Sequence, residues 1–133
     1  MLTREVRRIF NSTLENNKGD FIVERVISFT DVKTILDRAI DAWRESNGRP
    51  PLLSTHGPEF GWNSLDELLH SEAFGNPLIQ PDVIGTDTAG SANIIAALTH
   101  GLTGFPRMPV GGPFLSEEDV QTIECWIKAG CPQ

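Results

Sequence analysis

The sequence contains no CxxC, HExxH, GxSxG or GxxxxGK pattern. That leaves no motif-based case for a thiolate zinc knuckle, a zinc protease, an esterase elbow or a P-loop. Gly111-Gly112 are not followed by Lys-Ser or Lys-Thr, so they read as loop geometry rather than a phosphate cradle. No stretch approaches the ~18–20 consecutive apolar residues of a membrane span, and Met1–Arg8 lacks the apolar run of a signal peptide. The chain is therefore expected in the cytoplasm, with no membrane partner. Basic residues nearly vanish after the first third. Residues 51–133 carry only Arg107 and Lys128 against ten Asp/Glu, a field that would repel a phosphate backbone, so nucleic acid is excluded as a partner. Cysteine is limited to Cys125 and Cys131, whose spacing fits no zinc pattern. In a cytoplasmic protein they are expected to be free thiols. The acidic residues show no spacing of a metal cage or a catalytic pair, and no enzymatic activity is expected.

What is present is helical periodicity separated by Gly/Pro-rich loops, in a chain of 133 residues that suits one domain. Thr3 to Leu14 places Val6, Ile9, Phe10 and Leu14 on one helical face and is stopped by Asn16-Asn17-Lys18-Gly19. Residues 1–20 form a helical extension and 21–133 the domain proper, with Phe21-Ile22-Val23 and Val26-Ile27 extended. Thr30 to Glu45 carries Val32, Ile35, Leu36, Ala39, Ile40 and Trp43 as a continuous stripe, with Lys33, Asp37, Asp41 and Arg44 on the other side. Ser64 to His70 is a short helix whose Ser64 and Glu67 are placed as a capping box. Glu72 to Gly90 is loop-rich, and Ser91 to His100 forms a further helix, ended by Gly101.

The segment with the strongest punctuation is Arg107-Met108-Pro109-Val110-Gly111-Gly112-Pro113-Phe114-Leu115 and the helix it feeds, Ser116 to Ala129. Ser116 is a good N-cap, Glu117, Glu118 and Asp119 suit the positive end of the helix dipole, and Asp119 can reach back to the cap. Val120, Ile123, Trp126 and Ile127 make the buried stripe, and Gly130 and Pro132 stop the helix. Over residues 107–132 the chain resembles the closing segment of class I cytochromes c. There a Met on a Pro/Gly-rich loop ligates haem iron and a helix with a Trp-Ile pair packs across the opening helix. Ser28-Phe29-Thr30-Asp31-Val32-Lys33-Thr34-Ile35-Leu36-Asp37-Arg38 is similar to that opening helix.

The resemblance implies a mostly α fold, with cytochrome c-like orthogonal helices joined by long loops and an extra N-terminal helix. It also implies a haem attachment motif at Ile40-Asp41-Ala42-Trp43-Arg44, where both cysteines and the histidine are absent. Two readings follow. In the first, Ile40, Trp43, Met108 and Trp126 fill the place of the lost haem. The chain is then a haem-less accessory or interaction domain, with no cofactor, beside an oxidoreductase or a second copy of itself. In the second, haem is held noncovalently through Met108 and His56, and the domain transfers electrons. His56 lies in Leu52-Leu53-Ser54-Thr55-His56-Gly57, a faint echo of CxxCHG, but outside the ligand position that the helix register implies. On the first reading, the Trp43 indole N–H requires an acceptor. His70 and His100 end helices, where a protonated ring suits the dipole.

Overall fold

The computed structural model describes residues 26–133, so the Thr3–Leu14 helix and the extended Phe21–Val23 expected from sequence lie outside the described residues. The described chain is mostly α. It has four α-helices, α1 (Phe29–Asn47), α2 (Leu65–Leu69), α3 (Asn93–Thr99) and α4 (Glu117–Lys128), with one two-stranded hairpin, β1 (Glu72–Ala73) and β2 (Asn76–Pro77). Short 3-10 turns at Leu53–His56, Pro81–Val83 and Ala89–Ser91 join them. Val26 and Ile27 belong to no strand.

α1 begins where the chemistry of its first turn demands. The Ser28 side chain accepts from Asp31 N–H, and the Asp31 carboxylate accepts from Ser28 N–H at 2.9 Å, a reciprocal capping box. Gly48 ends the helix in the left-handed conformation, its N–H closing on the Arg44 carbonyl. The helix starts one residue earlier than expected, and its buried stripe starts three residues earlier, at Phe29. α4 is started by Ser116, which accepts from Asp119 N–H at 3.0 Å. The Asp119 carboxylate does not complete the expected box; it lies 3.6 Å from the Arg38 guanidinium of α1. The helix stops at Lys128. Gly130 N–H bonds Ile127 O and Cys131 N–H bonds Trp126 O, the paired closure of a Schellman motif.

α1 and α3 both pack on α4. Phe29, Val32, Ile35 and Leu36 of α1 join Ile94, Ile95 and Leu98 of α3 around Val120, Ile123, Trp126 and Ile127. Trp126 is fully buried, its ring centroid 6.5 Å from that of Phe29, and its N–H donates to Pro132 O at 2.8 Å. A buried indole with its one donor satisfied costs nothing in unpaired polarity while it covers a large apolar area. Trp126→Ala is expected to destabilise the domain by about 3–5 kcal/mol, enough to unfold much of a chain this size. Urea unfolding followed by far-UV circular dichroism measures it, and a loss under ~1 kcal/mol would show that the α1–α4 crossing is held elsewhere.

Candidate functional site

The stripe of α1 serves two purposes along its length. Its first half is core. Its second half, Leu36, Ala39, Ile40 and Trp43, forms one wall of a cavity of about 440 Å3. The Met loop supplies Met108, Pro109 and Val110, α3 supplies Ile94, Ala97 and Leu98, and the Leu53–His56 turn supplies Leu53, Thr55 and His56. The hairpin adds Ala73 and Phe74, and Phe60, Trp62 and Phe105 come from the loops. A volume of this size belongs with small-molecule sites, which run from ~300 to ~1,000 Å3. It far exceeds the voids of a close-packed interior.

Each wall is positioned by an identifiable backbone need. α3 is too short to satisfy its last carbonyls internally. The Met108 N–H takes the Ala97 carbonyl at 2.7 Å and the Arg107 Nε–H takes Leu98 O at 3.2 Å, so the Met loop is hung from the end of α3. Gly101 makes the return possible. Its φ is +85°, and a Cβ there would lie 2.7 Å from the Phe105 carbonyl oxygen. On the opposite side the Trp43 indole N–H donates to Val110 O at 2.8 Å, tying the loop to α1 across the cavity mouth. Trp43 is only 8% exposed but stands outside the contiguous core.

An aromatic series runs round the cavity. The Trp62 ring meets Phe60 edge-on at 5.5 Å, and Phe60 stacks on the His56 imidazole at 4.1 Å. Phe74 lies 5.5 Å from His56 and stacks on Phe105 at 4.6 Å. The hairpin tip is fixed to this series by a 2.7 Å bond from Phe74 N–H to the His56 carbonyl. His56 Nδ1 sits 3.0 Å from Leu53 O. A carbonyl only accepts, so Nδ1 is the nitrogen that donates, and Nε2 is the one left clear of this contact. The same hydrogen bond orients the ring within the turn.

The residues singled out by sequence fall in two places. Ile40, Trp43, Met108 and His56 share the cavity wall; Trp126 does not, since its stripe directs it into the α1–α4 core. The space expected to be filled by Ile40, Trp43 and Met108 is open. Trp43 turns its N–H to Val110 and is itself part of the cavity lining. The acceptor expected for that indole is thus a Met-loop carbonyl. Arg44, which stands where the attachment histidine would be, pairs with Asp41 at 2.7 Å. His70 and His100 lie off the cavity lining. Phe74, Phe105 and Arg49 were not singled out as site residues.

Both cysteines are free. Burial pushes the Cys131 thiol up to about 11, so it stays protonated near neutral pH. Among the described residues no group of three or more His, Cys, Asp or Glu could hold a metal ion, and no helix is long and apolar enough to cross a membrane. No protein family, curated protein or solved structure matches the chain.

Two outcomes follow from the walls. Trp43→Phe keeps most of the ring but strands the Val110 carbonyl, and is expected to cost about 1 kcal/mol; Trp43→Ala is expected to cost about 3–5 kcal/mol. No loss in Trp43→Phe in denaturant unfolding would mean that the N–H to Val110 contributes nothing. The second outcome concerns Asp37, which accepts from the Trp62 N–H at 2.9 Å and pairs with Lys33 at 2.7 Å. Burial pushes its carboxyl up, but the Lys33 ammonium and the Trp62 N–H outweigh this and leave it below the ordinary value. A depressed folded pKa stabilises above the unfolded value near 4, and that contribution is lost as pH falls through the folded value. Thermal melts from pH 6 downward should therefore show a fall below about pH 4 that is shallower in Asp37→Asn; parallel pH profiles would contradict this.

Proposed function

We propose that this domain has a cytochrome c-like plan and binds haem noncovalently in the apolar cavity, where His56 and Met108 would hold the iron, in the service of electron transfer. The observation that carries the reading is that His56 and Met108, 52 positions apart in sequence, line one cavity of about 440 Å3. The donor set suits the group. An imidazole whose Nδ1–H is engaged with a backbone carbonyl and a thioether are the kinds of donor that hold iron in cytochromes of this class. The packing of α1 on α4 through Trp126, and the Met loop leading into α4, support the same plan. Among the described residues no thiol lines the cavity, so attachment through sulfur is not part of the proposal. Bound haem would supply a one-electron couple. The chain's own part is to exclude water with its aromatic wall, to hold the two ligands on separately tethered loops, and to present an acidic exterior that suits a basic redox partner. No turnover of a substrate is assigned to it. A cytoplasmic setting goes with this reading, because a chain without CxxCH has no need of covalent haem attachment.

A haem-less accessory or interaction domain, docking on an oxidoreductase or a second copy, is the other reading. The exposed apolar rim at Leu52, Phe74, Leu102, Phe105 and Val110 favours it.

Titration of the purified chain with hemin separates the two. The expected result is a Soret band that saturates at one hemin per chain, is altered in His56→Ala and in Met108→Ala, and leaves the denatured intact mass equal to the bare polypeptide. No spectral change, or variants that bind with unaltered spectra, would overturn the haem reading. Concentration-dependent association without hemin binding would establish the other.

A further inference from the structure

Among the described residues that line the cavity, Arg49 is the one with a permanent charge. Its surroundings set it apart from the other cations of the domain. Residues 26–133 carry six Lys/Arg against fourteen Asp/Glu, so carboxylates are plentiful. Lys33, Arg38, Arg44 and Lys128 each pair with an aspartate. Arg107 gives its Nε–H to Leu98 O and lays its guanidinium 4.2 Å over the Phe114 ring. Arg49 alone among these six has no oxygen partner among the described residues; its one contact of this kind is with the Trp43 ring, whose centroid lies 5.0 Å from the guanidinium carbon.

That contact is itself fixed. Trp43 is tethered to Val110, Gly48 makes the left-handed turn before Arg49, and Pro50-Pro51 follow it. A guanidinium stacked on an indole keeps its in-plane N–H donors free for a planar, bidentate acceptor. Its exposure means that leaving these donors to water costs the fold little, so the arrangement is one of availability rather than strain.

We infer that the ligand of this cavity is an apolar molecule bearing a carboxylate, and that Arg49 binds this group at the cavity mouth. The inference rests on the reading that the cavity takes a small ligand, and it specifies that ligand's chemistry whether or not the ligand is haem. An apolar body satisfies the walls, and the carboxylate meets the one cation left without an acceptor among the described residues. The same pairing would reject neutral apolar molecules of equal size, because only the acid gains a charge-assisted hydrogen bond to offset its desolvation.

The test compares two matched pairs of probes, hemin with hemin dimethyl ester and dodecanoate with dodecanol, on the unaltered chain, Arg49→Gln and Arg49→Lys. Calorimetry and tryptophan fluorescence report binding, and a thermal melt confirms folding. The acid of at least one pair should bind more tightly than its neutral partner. Arg49→Gln should weaken that acid about tenfold or more, the weight of one charge-assisted hydrogen bond, and leave the neutral partner within about twofold. Arg49→Lys should restore part of the loss, and added salt should reduce the difference. Arg49-dependent binding of dodecanoate with no binding of hemin would remove the haem reading and keep this one. Acids that bind no better than their neutral partners, equal losses across a pair in Arg49→Gln, or no binding of either acid would overturn it.

Discussion

The crossing of α1 on α4 around Trp126 is the constraint from which the rest of the structure follows. α1 is 19 residues long and α4 is 12, and the crossing uses only the first half of α1's buried face. With Phe29, Val32, Ile35 and Leu36 committed to Trp126 and its neighbours, the helix is held firmly at one end. The same stripe continues past the crossing to Ala39, Ile40 and Trp43, where α4 is no longer beneath it. A helix cannot rotate its stripe partway along, so this apolar half must be covered by loops or by a ligand. The cavity is the unfilled remainder of that requirement.

The loops that cover it are positioned by polar bookkeeping at helix ends. α3 has seven residues, so a large share of its carbonyls lack intrahelical donors. Recruiting Met108 N–H and Arg107 Nε–H to Ala97 and Leu98 satisfies two of them and sets where Met108 stands relative to α3. The bond from Trp43 to Val110 sets the same loop relative to α1. Two independent tethers, one on each side of Met108, leave its thioether little choice of location. The position of the loop is thus set by hydrogen bonds to α1 and α3 rather than by the packing of Met108 itself.

The elements of this plan differ in how far they can be read from residues alone. The caps at Ser28, Ser64 and Ser116 and the stripes of α1 and α4 are local patterns, and the helices begin at or within two residues of where those patterns place them. Trp43's need for an acceptor was equally legible, since an indole has one donor and its position in the stripe implies burial. The identity of the acceptor was not, because Val110 is 67 positions away. His56 shows the same limit more sharply. Helix register sets it apart from the attachment position, yet the turn after Pro50-Pro51 brings it back to the wall that Met108 occupies. The reciprocal box expected at Asp119 failed for a related reason, since a tertiary partner, Arg38, was in reach. Openness of the cavity could not be inferred from composition, because Phe60, Phe74 and Phe105 have volume enough to fill a space and only their orientation decides whether they do.

Their orientation is decided by the hairpin. Phe74 holds φ at +55°, beside Gly75 at +80°, a conformation that suits a tight hairpin turn and that a bulky side chain adopts only at a cost of order 1 kcal/mol or more. Glycine or asparagine would make the same turn without that cost. Phe74 is held there by the bond from its N–H to His56 O, and its ring spans from His56 to Phe105. The strain is confined to one residue of a two-residue turn, and the interactions that offset it all lie on the cavity rim. A chain whose aromatic rings served only to fill the void would gain more by turning Phe74 inward, where burial of a Phe side chain contributes roughly 1.5–3 kcal/mol. Phe74 instead remains 47% exposed and stands as part of the wall. A positive φ at Phe74, an unfilled apolar volume and the His56 imidazole meet at the same few residues.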